Sequence, residues 1–216
     1  MTRDKAVDAL MRRLGNYGNT SIRDDIIAEM AIVIEDVLEH DASLRPWFLL
    51  SERYTGTVEE GENRLELPPN FLFEFEDGGL YIVTDEGDEE LLIRDDWDVI
   101  KDRESGTGRP EYYDILGDYF IFAPTPDKEY SVKLRYYKKA QSISGEYGDS
   151  ANIENDWLKW APSLVIAETG IVMAGQYLQS PQMVQMFQAQ SEIARRRLIA
   201  QNTAMEESNK QRFMEG

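Results

Sequence analysis

Asn155-Asp156-Trp157-Leu158-Lys159-Trp160-Ala161-Pro162 begins the stretch on which the fold turns, and an apolar segment from Ser163 to Leu178, a Ser180-Pro181 break and a long polar run to Gly216 complete it. Pro162 has no amide hydrogen and a fixed φ, so it suits a first helical turn, where that amide has no partner anyway. A helix is therefore expected to begin near Pro162. Leu164, Val165, Ala167, Ile171, Val172, Ala174, Gly175 and Leu178 recur at helical spacing and cover well over half of the surface, the pattern of a helix packed on several sides. Ser180 is placed to cap a second helix, with Pro181 at its first position. That helix meets no strong stop signal before Gly216, and if continuous it is roughly 50 Å long, longer than a small domain needs. Its far end is expected to be received by something outside the domain.

The opening of the chain is helical as well. Val7, Leu10, Met11 and Leu14 fall on one stripe, and Gly15 follows where a C-terminal glycine cap sits. After the polar turn Asn16 to Thr20, Ser21 with Asp24 gives a partial capping signal for a longer helix. Its stripe is Ile22, Ile26, Met30, Val33, Val37 and Leu38, and it is expected to end near His40, ahead of Pro46.

Between the helical ends, aromatic and β-branched runs alternate with Gly, Pro and Asp clusters. The expected strands are Trp47 to Glu52, Asn63 to Leu67, Leu72 to Phe75, Leu80 to Thr84, Tyr112 to Leu116, Tyr119 to Ala123 and Tyr130 to Tyr137. Gly117-Asp118 makes a two-residue link between two of them. In the last, Val132, Leu134 and Tyr136 should face a core, and Lys133, Arg135 and Tyr137 solvent. Trp97 and Ile100, three apart among charges, suit a short surface helix. The expected fold class is α+β: an α-helical bundle drawn from both chain ends, carrying an inserted antiparallel β module, either a sandwich or a small barrel. Residues 1–45 and 155–200 form the two parts of the helical domain, 46–141 the inserted domain, 142–154 a linker, and 201–216 a C-terminal extension ordered by a partner.

Composition narrows the function. With 42% apolar residues among 216, the chain can bury a core. Lys plus Arg number 23 against 41 Asp plus Glu, a net charge of −18, so the surface repels polyanions and tight non-specific DNA binding is not expected. With no cysteine, disulfides and thiolate metal sites are excluded. Met1 to Leu14 lacks the apolar run of a signal peptide, and no segment has the apolar length of a membrane helix, so a soluble protein made in the cytoplasm is expected.

His40 is the only histidine, which rules out paired-histidine zinc motifs; it sits where a protonated imidazole favours the negative end of a helix dipole. Gly106-Thr107-Gly108 lacks the third glycine and the strand-to-helix setting of a nucleotide loop, and reads as a turn. The acidic clusters Asp85, Glu86, Asp88, Glu89, Glu90 and Asp95, Asp96, Asp98 could hold a hard cation, but their spacing is not that of a calcium helix-loop-helix, and solvated loops are the plainer reading. Neither a cofactor nor a metal is expected. Trp157 and Trp160 read as core under the bundle, or alternatively as an exposed aromatic anchor. Arg195-Arg196-Arg197 is the one dense basic patch; consecutive helical residues point about 100° apart, so the three wrap most of a turn. They either pair locally with acids such as Glu192 or grip carboxylates on a partner.

In order along the chain, the segment Leu10 to Gly15 before an acidic-apolar helix, Leu67-Pro68-Pro69-Asn70-Phe71, Gly117 through Pro126, Tyr130 to Lys139 and Asn155 to Pro162, followed by the apolar and the polar terminal helices, resemble the head-to-tail adaptor (connector) proteins of tailed bacteriophages, particularly those of short-tailed phages. The resemblance spans nearly the whole chain. It implies a non-enzymatic virion protein at the head-tail junction, made in the host bacterial cytoplasm, docked as a ring of twelve copies under the portal protein and joined to tail nozzle or tail fibre proteins. Packaged double-stranded DNA is held behind the ring and passes its channel without specific binding. The terminal helix of such adaptors reaches the portal, which implies a portal-binding role for Arg195, Arg196, Arg197, Leu198, Gln201, Met205 and Phe213. The other readings are a virion-associated hydrolase acting on peptidoglycan through paired carboxylates, and an acidic DNA mimic; the long helix and the large β module do not suit the mimic.

Overall fold

The structure, a computed structural model, describes residues 1–16, 19–51, 53–75, 79–103, 106–148 and 153–214, with 102–103 and 206–214 given by backbone alone. The α-helices among them are α1 (Arg3–Arg13), α2 (Arg23–Ile32), α3 (Trp97–Arg103), α4 (Asp156–Trp160), α5 (Pro162–Val172) and α6 (Pro181–Met214). The strands are β1 (Tyr54–Val58), β2 (Arg64–Glu66), β3 (Phe71–Glu74), β4 (Leu80–Val83), β5 (Glu89–Leu91) and β6 (Ile93–Arg94), then β7 (Thr107–Gly108), β8 (Tyr112–Leu116), β9 (Tyr119–Ala123), β10 (Thr125–Pro126), β11 (Tyr130–Leu134) and β12 (Tyr136–Lys138). The chain divides into a helical unit, Met1–Leu49 with Lys139–Gly216, and a β unit, Leu50–Lys138. No helix among the described residues is long and apolar enough to cross a membrane.

In the helical unit the ends of the helices follow the local chemistry. Gly15 takes φ +73° after α1, and the amides of Gly15 and Asn16 donate to the carbonyls of Arg12 and Met11, the double bond of a Schellman cap. Asn155 caps α4 by accepting from the Leu158 amide at 3.1 Å, while its own amide group donates to Gln141 O. Pro162 and Pro181 are the first residues of α5 and α6, where a missing amide costs nothing. Both α2 and α5 run on into a wider turn, Val33–Leu38 and Met173–Tyr177, where Glu39 and Leu178 donate to carbonyls five residues back. Leu164, Val165, Ile166 and Ala167 are all buried, so α5 is packed on several sides as its sequence predicts. Gly170 sets the α5–α6 approach: a Cβ there would lie 2.5 Å from the Phe187 ring. Residues 142–148, expected as linker, are tied to α1 and α2. Ile143 is buried, Arg3 donates to Ile143 O and Glu146 O, and the Tyr147 amide donates to Asp24.

The β unit consists of open sheets. One has the order β1-β11-β4-β5, a second β2-β9-β8-β6, and two further pairs are β12-β3 and β10-β7. The core joins Val58, Leu80, Ile82, Leu92, Tyr113, Phe120, Phe122, Tyr130, Val132, Leu134 and Tyr136. The sheets form no closed barrel, so that alternative is set aside. The Gly117-Asp118 hairpin is present, with Leu116 opposite Tyr119. Of its two central residues only Gly117 has a positive φ, +60°, the pattern of a type II′ turn, which wants glycine first.

Two strand expectations need correction. Trp47 to Glu52 is not a strand: Trp47–Leu49 forms a 3₁₀ turn and Leu50 makes a single bridge to Tyr137, while Glu52 lies outside the described residues. The aromatics there serve the helical unit instead, Trp47 against Trp160 at 4.7 Å between ring centroids and Phe48 against Trp157 at 5.2 Å. Tyr130 to Tyr137 is two strands. Alternation holds through Leu134, then the chain changes sheet at Arg135, so that Tyr136 and Tyr137 are both buried. Gly79 makes that bend possible, since a Cβ at this position would sit 2.2 Å from the Arg135 carbonyl oxygen.

Candidate partner-binding surface

The three consecutive arginines of α6 meet three different environments, as their 100° spacing requires. Arg195 turns inward. Its guanidinium donates to Glu168 of α5 at 2.7 and 2.9 Å and to Asp41 after α2, and Ser191 donates to the same Glu168 oxygen at 2.6 Å. Burial pushes the Asp41 carboxyl up, but hydrogen bonds from Ser43 and Arg195 outweigh it and hold the group below its ordinary range. Arg196 points outward and pairs with Glu192 one turn back, the local pairing weighed from the sequence. Arg197 is exposed, and no carboxylate among the described residues pairs with it.

Further along α6, Leu198 is buried against the unit, Gln201 is exposed and Asn202 is buried. The Asn202 side chain donates to Leu44 O at 2.5 Å and accepts from the Trp47 amide at 3.2 Å. These are the last inward-facing residues of the described side chains. Met205 is exposed, and the helix backbone continues to Met214; the side chain of Phe213 lies outside the described residues. Arg195 and Leu198 therefore act within the fold, whereas Arg196, Arg197, Gln201 and Met205 are presented outward.

Beside Arg197 a groove of about 290 Å³ opens between α6 and the α4–α5 junction. Trp160 and Ile193, 47% and 53% exposed, form its apolar part, and Arg13, Gln190, Arg197 and Gln201 its polar rim. Arg13 donates to Gln190 at 3.0 Å. The tryptophan pair is thus split: Trp157 is buried as the core reading predicts, and Trp160 is half open to solvent. The groove was missed by sequence reasoning, because it joins residues from α1, α4, α5 and α6, and the sequence showed Trp160 and Arg197 only as separate candidates.

Four of the eight carboxylates in the acidic clusters pair with bases, Asp98 with Lys101 among them. Asp85 pairs with Lys128, Glu90 with Arg109, and Glu89 with Lys133 at 2.8 Å and Arg53 at 2.9 Å. The Lys133 hydrogen bond, ahead of the Arg53 charge, draws the Glu89 carboxyl below its ordinary value, the opposite of what a general acid needs. Among the described residues the carboxylate pushed upward is Glu39, and burial is the main cause. It lies inside the helical unit, accepting from the Ala140 amide at 2.7 Å. His40 is exposed, its Nδ1–H donating to Glu35 O at 2.7 Å.

A half-exposed aromatic thus lies beside a guanidinium that no described carboxylate pairs with, on a helix whose backbone runs on past its last described inward-facing residue. Residues 1–212 match the family model of the SU10 adaptor protein, and the chain belongs to that family. It is accordingly a structural protein of the bacteriophage virion with a head-to-tail adaptor role, associated there with other virion proteins. No curated protein matches the sequence.

Proposed function

We propose that the chain docks as a ring of twelve copies beneath the portal protein of a short-tailed phage, links it to tail nozzle or tail fibre proteins, and forms part of the channel that retains packaged DNA. The observation that carries this reading is α6: its last inward-facing described residue is Asn202, yet the helix runs on to Met214. A helical extension of that length, roughly 18 Å past Asn202, is marginal as an isolated helix and would be stabilised by burial against another chain. Arg196, Met205 and Phe213 are the portal-facing residues of this proposal, while Arg197 and Gln201 line the groove beside them. The electrostatics agree with it, since subunits of net charge −18 repel phosphates and leave passing DNA unbound.

The test is the native mass of the chain mixed with the portal ring of its phage, before and after removal of Ala204 to Gly216. The cut is placed after Thr203 so that the Asn202 contacts survive. A multi-copy assembly on the portal that is lost with the truncation supports the proposal; a truncated chain that assembles with undiminished affinity sinks the clamp role of the tail.

A further inference from the structure

Identical copies of an acidic chain repel one another, so any contact between them must bring opposite charges together locally. The charge is unevenly divided. The β unit holds 23 Asp and Glu against 10 Lys and Arg, a net of −13 of the chain's −18, which leaves −5 on the helical unit. The groove beside α6 carries this asymmetry further: two arginines line it and no carboxylate does, in a chain with 41 acids. The N-terminal end of α5, Pro162 to Leu164, also opens into it and adds the positive end of a helix dipole. An occupant with apolar side chains flanked by carboxylates fits this lining.

The chain itself presents such a segment. Leu91, Ile93 and Val99 are 49%, 56% and 46% exposed, and Asp95, Asp96 and Asp98 lie among them in sequence. Leu91 is on β5 and Ile93 on β6, each the outermost strand of its four-stranded sheet. Exposed apolar residues on unpaired sheet edges mark a place where another chain attaches. Another exposed apolar-acidic site among the described residues of the β unit, Leu116 to Tyr119, is the turn between two inner strands and leaves no free edge.

We infer that two copies associate head to tail, the β5–β6 edge and α3 of one copy seated in the groove of the next, with Leu91, Ile93 and Val99 against Trp160 and Ile193, and Asp95 and Asp96 facing Arg13 and Arg197. Because the two surfaces differ, each copy keeps one of each free, and the contact propagates until a rotation closes it into a ring. This rests on the ring reading above and assigns the faces that build the ring.

The absence of cysteine makes the test clean. Ile193→Cys and Val99→Cys are made singly and together in the full chain, at exposed positions, and treated with a short bismaleimide. The double variant should give a ladder of covalent oligomers, an equimolar mixture of the single variants should stop at the dimer, and neither single variant alone should cross-link. Arg197→Glu, added to the Ile193→Cys chain, should lower the dimer yield about fivefold, since an exposed charge contact is worth about 1 kcal/mol. Single variants that cross-link by themselves overturn the inference, because the contact is then two-fold. A Leu116→Cys or Val37→Cys chain that replaces Val99→Cys with equal yield overturns the choice of segment. No cross-linking in a chain whose native mass is still multi-copy removes these faces and leaves the ring; a chain that is monomeric alone and on the portal removes both.

Discussion

Glu39 shows how one residue can carry a pH dependence through the helical unit. Burial raises its carboxyl above the ordinary value of 4.5, and the neighbouring Glu35 adds to this, against the pull of the Ala140 amide. The folded state therefore holds this proton more tightly than the unfolded state, and the group destabilises the fold when charged, a penalty removed as pH falls through the raised pKa. Glu39→Gln keeps an acceptor for Ala140 and is expected to be more stable than the parent at pH 7, the advantage shrinking as pH approaches 4.5; urea unfolding at several pH values measures it. Among the arginines, Arg195→Ala takes from Glu168 and Asp41 their cationic donor, leaving only Ser191 and Ser43 to them, and should cost about 1–3 kcal/mol, while Arg197→Ala should stay within about 0.5 kcal/mol. Equal costs in denaturant titrations would contradict the inward and outward assignments.

At the scale of elements, the α5–α6 crossing depends on the absence of one methyl group. Gly170→Ala adds a favourable helix propensity of about 1 kcal/mol, but a Cβ 2.5 Å from the Phe187 ring forces that buried ring to move. The steric term should win, with a net loss of about 1–3 kcal/mol in thermal or urea unfolding. Helix α6 itself has two parts with different dependences. Leu198→Ala, in the packed part, should cost about 2–4 kcal/mol. Truncation after Thr203 should leave the unfolding midpoint nearly unchanged, whereas truncation after Ile199 should lower it, because it deletes the Asn202 bonds to Leu44 and Trp47. A midpoint equally sensitive to both cuts would mean that the terminal segment packs on its own unit.

For the whole molecule, the long-range force between copies is repulsion between net charges of −18. Salt screens such repulsion over a Debye length of about 10 Å at 0.1 M, whereas a close pair such as Arg197 with Asp95 loses less. Association is therefore expected to strengthen as salt rises from about 0.01 M to about 0.15 M, read by light scattering. Monotonic weakening over that range would show that attraction between charges, and not apolar burial at Trp160, Ile193 and the β5–β6 edge, holds the copies together.

The sequence by itself determined α1, α2, α5 and α6 and the strands β2, β3, β4, β8, β9 and β11, though not α4 or β1: Pro162 and Pro181 mark helix starts because only a first turn tolerates a missing amide, and Gly15 marks an end because it takes a positive φ cheaply. Alternation in Tyr130 to Leu134 likewise gave a strand with one buried face. Such signals are local, confined to a few neighbouring residues. Tertiary structure alone decided that Trp47 to Leu49 folds onto α4 and α6 as a turn, that the chain changes sheet at Arg135 beside Gly79, and that Arg195 faces a core while Arg197 faces a groove. Each of those outcomes depends on a partner far away in the chain, Asn202 for Trp47, Gly79 for Arg135, Glu168 and Asp41 for Arg195, and no local pattern encodes which distant group will be within reach.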